Sequence, residues 1–107
     1  MTEATPPTIG VCLSGGGHRA ALFGLGALLY LVDAGKGPQL AAVSSVSGGS
    51  MTNAAVGRAV DLHAVSPAEF DRVATDLSRA LVTRGTLWAS SATYLWVAGL
   101  ALPFVAA

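Results

Sequence analysis

The chain has 107 residues, 52% of them hydrophobic and only 11% charged, which is enough for one small domain with a core but not for two. Its six basic residues balance six acidic ones and are scattered, so no electrostatic footprint for nucleic acid is present. So little charge in so short a chain implies that much of the surface is covered by something else, or that part of the chain meets lipid.

Residues 1–7 are mostly polar, end in two prolines, and read as a flexible leader. No basic residue precedes an apolar stretch there, so the start is not a secretory signal, and the N-terminal part is expected in the cytoplasm. Thr8 to Leu13, TIGVCL, is short, apolar and β-branched at Ile9 and Val11 before glycines stop it, which predicts a buried strand. The only cysteine, Cys12, falls in that run and is expected to be a small buried hydrophobe rather than a catalytic thiol. Arg19 to about Ala34 has Leu22, Leu25, Leu29 and Val32 at helical spacing, with further apolar residues on the other faces. This predicts a helix buried nearly all round, closed by Gly35 and Gly37 with Pro38 beyond.

Leu40 to Val46, LAAVSSV, predicts a second strand, and MTNAAVGRAV after the SGGS turn a second helix. Strand, Gly turn and helix, repeated, is the grammar of an α/β fold with a parallel sheet, and both Gly turns then lie at the carboxyl ends of strands, where such sheets place their sites. The third helix has Ser66 as cap, Pro67 in the first turn, Glu69 reaching back, a stripe of Phe70, Val73, Leu77 and Leu81, and Gly85 as its stop. Asp71, Arg72, Asp76 and Arg79 are expected on its solvated face. Residues 86–107 hold no charge, and their length of about 22 is near the roughly 20 that a membrane span needs. Ser90, Ser91, Thr93 and Pro103 dilute this apolar segment, leaving two readings: a transmembrane or membrane-associated helix, or the buried helix and strand of a larger domain. Trp88, Tyr94 and Trp96 suit a lipid interface, and Arg79 and Arg84 would keep the preceding domain at the inner face of the membrane.

The stretch CLSGGGHRA, residues 12–20, sets three glycines in a row. Gly is the costliest residue to order, so three together imply a sharp turn or a close approach. A dinucleotide fingerprint is met loosely by Gly15, Gly17 and Ala20, but Asp33 falls on the helix instead of ending a second strand. A phosphate-binding P-loop is absent, because Lys36 is followed by Gly37. The second turn, SSVSGGS, discriminates. Ser45 to Gly49 is GxSxG with its first Gly replaced by Ser. In a nucleophile elbow the serine sits on a strained strand-to-helix corner, and its neighbours two before and two after must be small. The plainer alternative is a Ser-rich helix cap in which Ser47 or Ser50 satisfies helix amides. An acyl-transfer serine needs donors from a second loop, and GGGHR can bare backbone amides with no side chain in the way. The two turns together therefore read as a serine hydrolase.

In their order and spacing, SGGGHRA after the first strand and SSVSGGS about 30 residues later resemble the patatin-like phospholipases. The Arg-Ala ending is similar to that of their cytosolic phospholipase relatives. The resemblance covers about residues 8–60. It implies a three-layer, parallel-sheet patatin-like domain and a lipid acyl hydrolase with a Ser-Asp dyad and no metal or organic cofactor. By the same resemblance Ser47 is the nucleophile, Gly15, Gly16 and Gly17 form the oxyanion hole with an amide from Gly48, and Arg19 binds the lipid phosphate or orders the loop. The substrate would be a lipid or phospholipid, met at a membrane.

The family's Asp, in a DGG or DGA motif after the nucleophile, has no counterpart. Asp33 precedes Ser47, and Asp61 would lie roughly 20 Å away if the intervening helix is continuous. Asp71 and Asp76 belong to the solvated face. The chain thus reads as the N-terminal part of such an enzyme, residues 8–85, completed by a missing C-terminal part carrying the catalytic Asp. Little hydrolysis is expected of it alone, an unactivated serine being a poor nucleophile. His18, in the loop, could donate to an oxyanion or a headgroup or be incidental, and His63 is expected at the surface. The rival reading is a degenerate or membrane-tethered lipid-binding module that keeps the Gly loops as fold elements only.

Overall fold

A computed structural model describes residues 7–84 and 91–105. The elements are β1 (Ile9–Leu13), α1 (Gly17–Asp33), a short 3-10 turn (Gly37–Gln39), β2 (Leu40–Ser45), α2 (Gly48–Ala59), α3 (Pro67–Arg84) and α4 (Ser91–Val105). The expected leader, apart from Pro7, the Gly85 stop, residues 86–90 and residues 106 and 107 lie outside the described residues.

The two strands pair in parallel, with α1 as the crossover that a parallel pair requires. After an irregularity between Ile9 and Gly10 the register runs from Gly10 opposite Ala42 to Leu13 opposite Ser45. Both strands therefore stop at the same level, and their Gly turns leave from one edge of the sheet, as the sequence grammar predicts.

The α/β class holds, but helices cover only one face of this two-stranded sheet. Val11, Leu13 and Val43 point into a core built with Leu25, Leu28 and Val32 of α1, Val56 of α2, and Phe70 and Ala74 of α3. On the other face Gly10, Cys12, Ala42 and Ser44 are exposed. Cys12 is therefore not the buried hydrophobe expected of it. Its sulfur accepts a hydrogen bond from Ser44 Oγ at 3.2 Å across the bare face. The third layer is likewise not built by the described residues.

Helix α1 also departs from expectation, since Phe23 and Tyr30 are 79% and 71% exposed while Ala21, Gly24, Leu25, Leu28 and Val32 are buried. An all-round apolar sequence here leaves one face without a neighbour. Its end behaves as predicted: Gly35 takes φ +72, and the amides of Ala34, Gly35 and Lys36 satisfy carbonyls of the last turn. In α3 the Ser66 hydroxyl accepts from the Glu69 amide at 3.2 Å, and Phe70 is fully buried. Asp71, Arg72, Asp76 and Arg79 are exposed, as a solvated face requires.

The path of the helices fixes which ends meet. Helices α1 and α2 both start at the carboxyl edge of the sheet. The link after α2 lies at the opposite, amino edge, where His63 reaches the carbonyl of Leu40 and Gly37 lies against Leu62. Helix α3 starts there and returns, so that Leu77, Leu81 and Arg84 line one cleft with Met51 in the second turn of α2.

Candidate active site

At the second corner, β2 gives way to α2 through Val46 and Ser47. The Val46 amide still donates to Leu13 O at 3.1 Å, extending the sheet by one bond, and the chain then turns. Ser47 has φ 52 and ψ −124, and it is the only non-glycine residue with positive φ among the described residues. For a residue with a Cβ this region costs on the order of 1–3 kcal/mol and persists only where the surroundings impose it.

A serine that merely caps a helix has extended backbone angles and an Oγ that accepts from the second or third helical amide. Ser47 has neither, for it occupies the N-cap of α2 without a side-chain cap bond. The turn is closed by backbone alone, Gly49 N–H donating to Val46 O at 3.1 Å and Ser50 N–H to Ser47 O at 2.8 Å. Ser47 is left exposed at the corner.

The surroundings explain the small residues. A Cβ on Gly49 would lie 2.7 Å from Leu13 O and 2.8 Å from both Leu13 Cβ and Ser14 O, while one on Gly48 would strike Gly17 O. Ser45, which stands where GxSxG has its first Gly, is held by a bond from Asn53 Nδ2 to its Oγ at 3.0 Å, and the same amide group donates to Val43 O at 3.2 Å. Thr52, buried, donates to Ala21 O at 2.6 Å. Thus α2 is pinned to β2 by Asn53 and to α1 by Thr52. Sequence reasoning missed both, and the signal available was two adjacent polar side chains, Thr52 and Asn53, in the middle of a short helix.

The first corner meets the second. A Cβ added to Gly15 would lie 3.0 Å from Ser47 Cβ and 3.7 Å from its Oγ, so the Gly15 backbone lies against the serine. Gly16 has φ +139 and Gly17 φ +66, angles open to glycine at little cost. The amides of Gly15, Gly16, Gly17 and Gly48 donate to no acceptor among the described residues. Two helices also begin here, each with the positive end of its dipole at the corner. Helix α1 starts at Gly17, two residues earlier than its sequence suggests, and carries His18 and Arg19 in its exposed first turn.

The carboxylates lie elsewhere. Asp33 ends α1, about 25 Å from its start for a helix of this length. Asp61 accepts from the backbone amide and ring Nδ1 of His63 at 3.0 and 3.2 Å, and these bonds hold its carboxyl below the usual carboxylate range. His63 Nε2 contacts Leu40 O at 2.6 Å. His63 is exposed, as expected, but it clamps the link to the first residue of β2, about 20 Å along the strand from Ser47. No Asp or Glu among the described residues hydrogen-bonds to Ser47. The arrangement can present a serine hydroxyl to an acyl carbon and amides to its oxygen, with no described Asp or Glu in place as its base.

Comparison with family models, curated proteins and solved structures finds no match to this chain. No helix among the described residues is long and apolar enough to cross a membrane.

Proposed function

We propose that this chain carries the nucleophile and oxyanion hole of a patatin-like lipid acyl hydrolase, the three-layer domain and the catalytic Asp being completed by further sequence. Ser47 Oγ attacks the ester carbonyl carbon. Its proton passes to the Asp carboxylate, and the carbonyl oxygen becomes an oxyanion held by amides of Gly15, Gly16, Gly17 and Gly48. Collapse of that intermediate expels the alcohol, which takes the proton, and leaves the acyl group on Ser47. Water then releases the fatty acid. Arg19, in the first turn of α1, pairs with a phosphate of the lipid, at the inner face of the cell membrane.

One observation carries this reading: Ser47 is held at positive φ, exposed and uncapped, with the Gly15 backbone against it. A turn built only to start a helix would have its strain relieved by glycine. Removing one oxyanion donor from such a site costs about 3–4 kcal/mol of transition-state stabilisation, so unused amides beside a serine are a chemical resource. That no carboxylate among the described residues hydrogen-bonds to Ser47 favours a second reading, a lipid-binding module without turnover. A fluorophosphonate probe separates the two. Labelling that maps to Ser47 and vanishes in Ser47→Ala supports the acyl-transfer site, whereas labelling unchanged in that variant refutes it, and a chain that binds lipid but never labels, even when joined to the sequence that supplies the Asp, fits the module.

A further inference from the structure

Helices α2 and α3 both pack against α1 and touch each other much less. The gap between them is a cleft of about 200 Å³, with Leu25 of α1 at its floor, Met51 and Ala55 on the α2 side, and Leu77 and Leu81 on the α3 side. Ala55 and Ala80 bring no bulk to it, so it stays open. Only two polar side chains line this space, Thr52 and Arg84. Thr52 donates its hydroxyl proton to Ala21 O at 2.6 Å, which leaves the guanidinium. Arg84 is exposed and forms no ion pair among the described residues. The positions one turn back, where a helix would carry its partner, are Ala80 and Leu81, walls of the cleft.

An ordered water needs two to four polar partners, and this lining gives it few. Alkyl carbons can therefore replace water there at little cost. A cavity of about 150 Å³ takes the six carbons of benzene, so this one takes about eight. Length gives the same answer. From Leu77 to Arg84 the helix rises about 10 Å, and an extended alkyl chain with bonds of about 1.5 Å advances about 1.25 Å per carbon. The space thus fits one tail of about eight carbons, not the paired long tails of a membrane phospholipid. A single guanidinium with no second cation in the lining matches a monoanion, and its fork matches a carboxylate.

We infer that this cleft binds a medium-chain fatty carboxylate, its head on Arg84 and its tail running toward Leu77. Binding itself is independent of the hydrolase reading; only the further statement that the ligand is the acid released from Ser47 rests on it. The test titrates sodium octanoate into the full chain and follows its methyl resonances. Those of Met51, Leu77 and Leu81 should shift saturably, while those of Val11 and Val43 on the sheet stay in place. Affinity should rise about fourfold per methylene from butanoate to octanoate and then level off. Arg84→Gln should weaken octanoate about tenfold and leave 1-octanol unchanged, a split that a merely structural arginine would not produce. Ala80→Phe, at an exposed position, should fill the cleft and abolish binding, with its urea midpoint reporting that the fold is kept. Absence of a saturable shift, equal loss of octanoate and octanol in Arg84→Gln, or affinity that keeps climbing with tail length would overturn the inference. So would nuclear Overhauser contacts to Leu77 and Leu81, without octanoate, from elsewhere in the chain or from a second copy. Octanoate binding that persists while Ser47 refuses the phosphonate probe, even when joined to the sequence that supplies the Asp, would sink the hydrolase reading alone. A labelled Ser47 in a chain that binds no octanoate would sink this inference alone.

Discussion

Two corners lead from strand to helix at the same edge of the same sheet, and they are built differently. The first, Ser14 to Gly17, takes its positive angles at Gly16 and Gly17, where they carry little cost. The second takes φ 52 at Ser47, although glycine would make that turn more cheaply and the hydroxyl satisfies no helix amide. The first corner thus exposes backbone, and the second keeps a side chain despite strain. Strain held beside amides with no acceptor among the described residues supports the proposed site.

The largest break in this comparison should come from bulk at the contact between the corners. Gly49→Ala places a methyl within 2.8 Å of backbone at Leu13 and Ser14, and its urea midpoint should report a loss of about 3 kcal/mol. Removing the pins should cost less. Asn53→Leu frees Ser45 and Val43 O, Thr52→Val removes the bond to Ala21 O, and each should lose about 1–2 kcal/mol by the same measurement. Asn53→Leu should also slow phosphonate labelling, because the elbow is anchored to β2 through it. Ser47→Gly should go the other way. By relieving the positive φ it should be about 1 kcal/mol more stable than Ser47→Ala, with neither variant labelled. A Ser47→Gly protein less stable than Ser47→Ala would mean that the corner is unstrained.

The amino edge gives the smallest effect and the control. Asp61 is held below its ordinary value of 3.8 by the His63 backbone and side chain. A carboxylate with a lowered folded value contributes stability above the unfolded value, and that contribution disappears as the pH falls through the folded one. The acid limb of the stability curve below pH 3.8 should therefore flatten slightly in Asp61→Asn. Labelling of Ser47 should not change, since the pair lies at the far end of β2.

What was legible in the sequence was local. The strand-turn-helix order, the Gly35 stop, the Ser66 cap and the Phe70 stripe are each decided within a few residues, and the two glycine turns implied a shared edge through parallel pairing. What depended on neighbours was not legible. Cys12 and Phe23 sit in apolar runs, but which faces of the sheet and of α1 find partners is settled by packing. Helices α1 and α2 start at Gly17 and Gly48, against glycine's poor helix propensity, where the two corners pack so closely that a Cβ on Gly48 would strike Gly17 O. Asn53 and Thr52 matter only through carbonyls and a hydroxyl eight to thirty-one residues away.

The claim that the two corners form one acyl-transfer site is tested most directly by amide proton shifts before and after phosphonylation of Ser47. The phosphonyl oxygen should draw hydrogen bonds from Gly15, Gly16, Gly17 and Gly48, moving several of these four amide resonances downfield, while those of Asp61 and His63 stay in place. An adduct on Ser47 that leaves all four glycine amides unmoved would contradict the account.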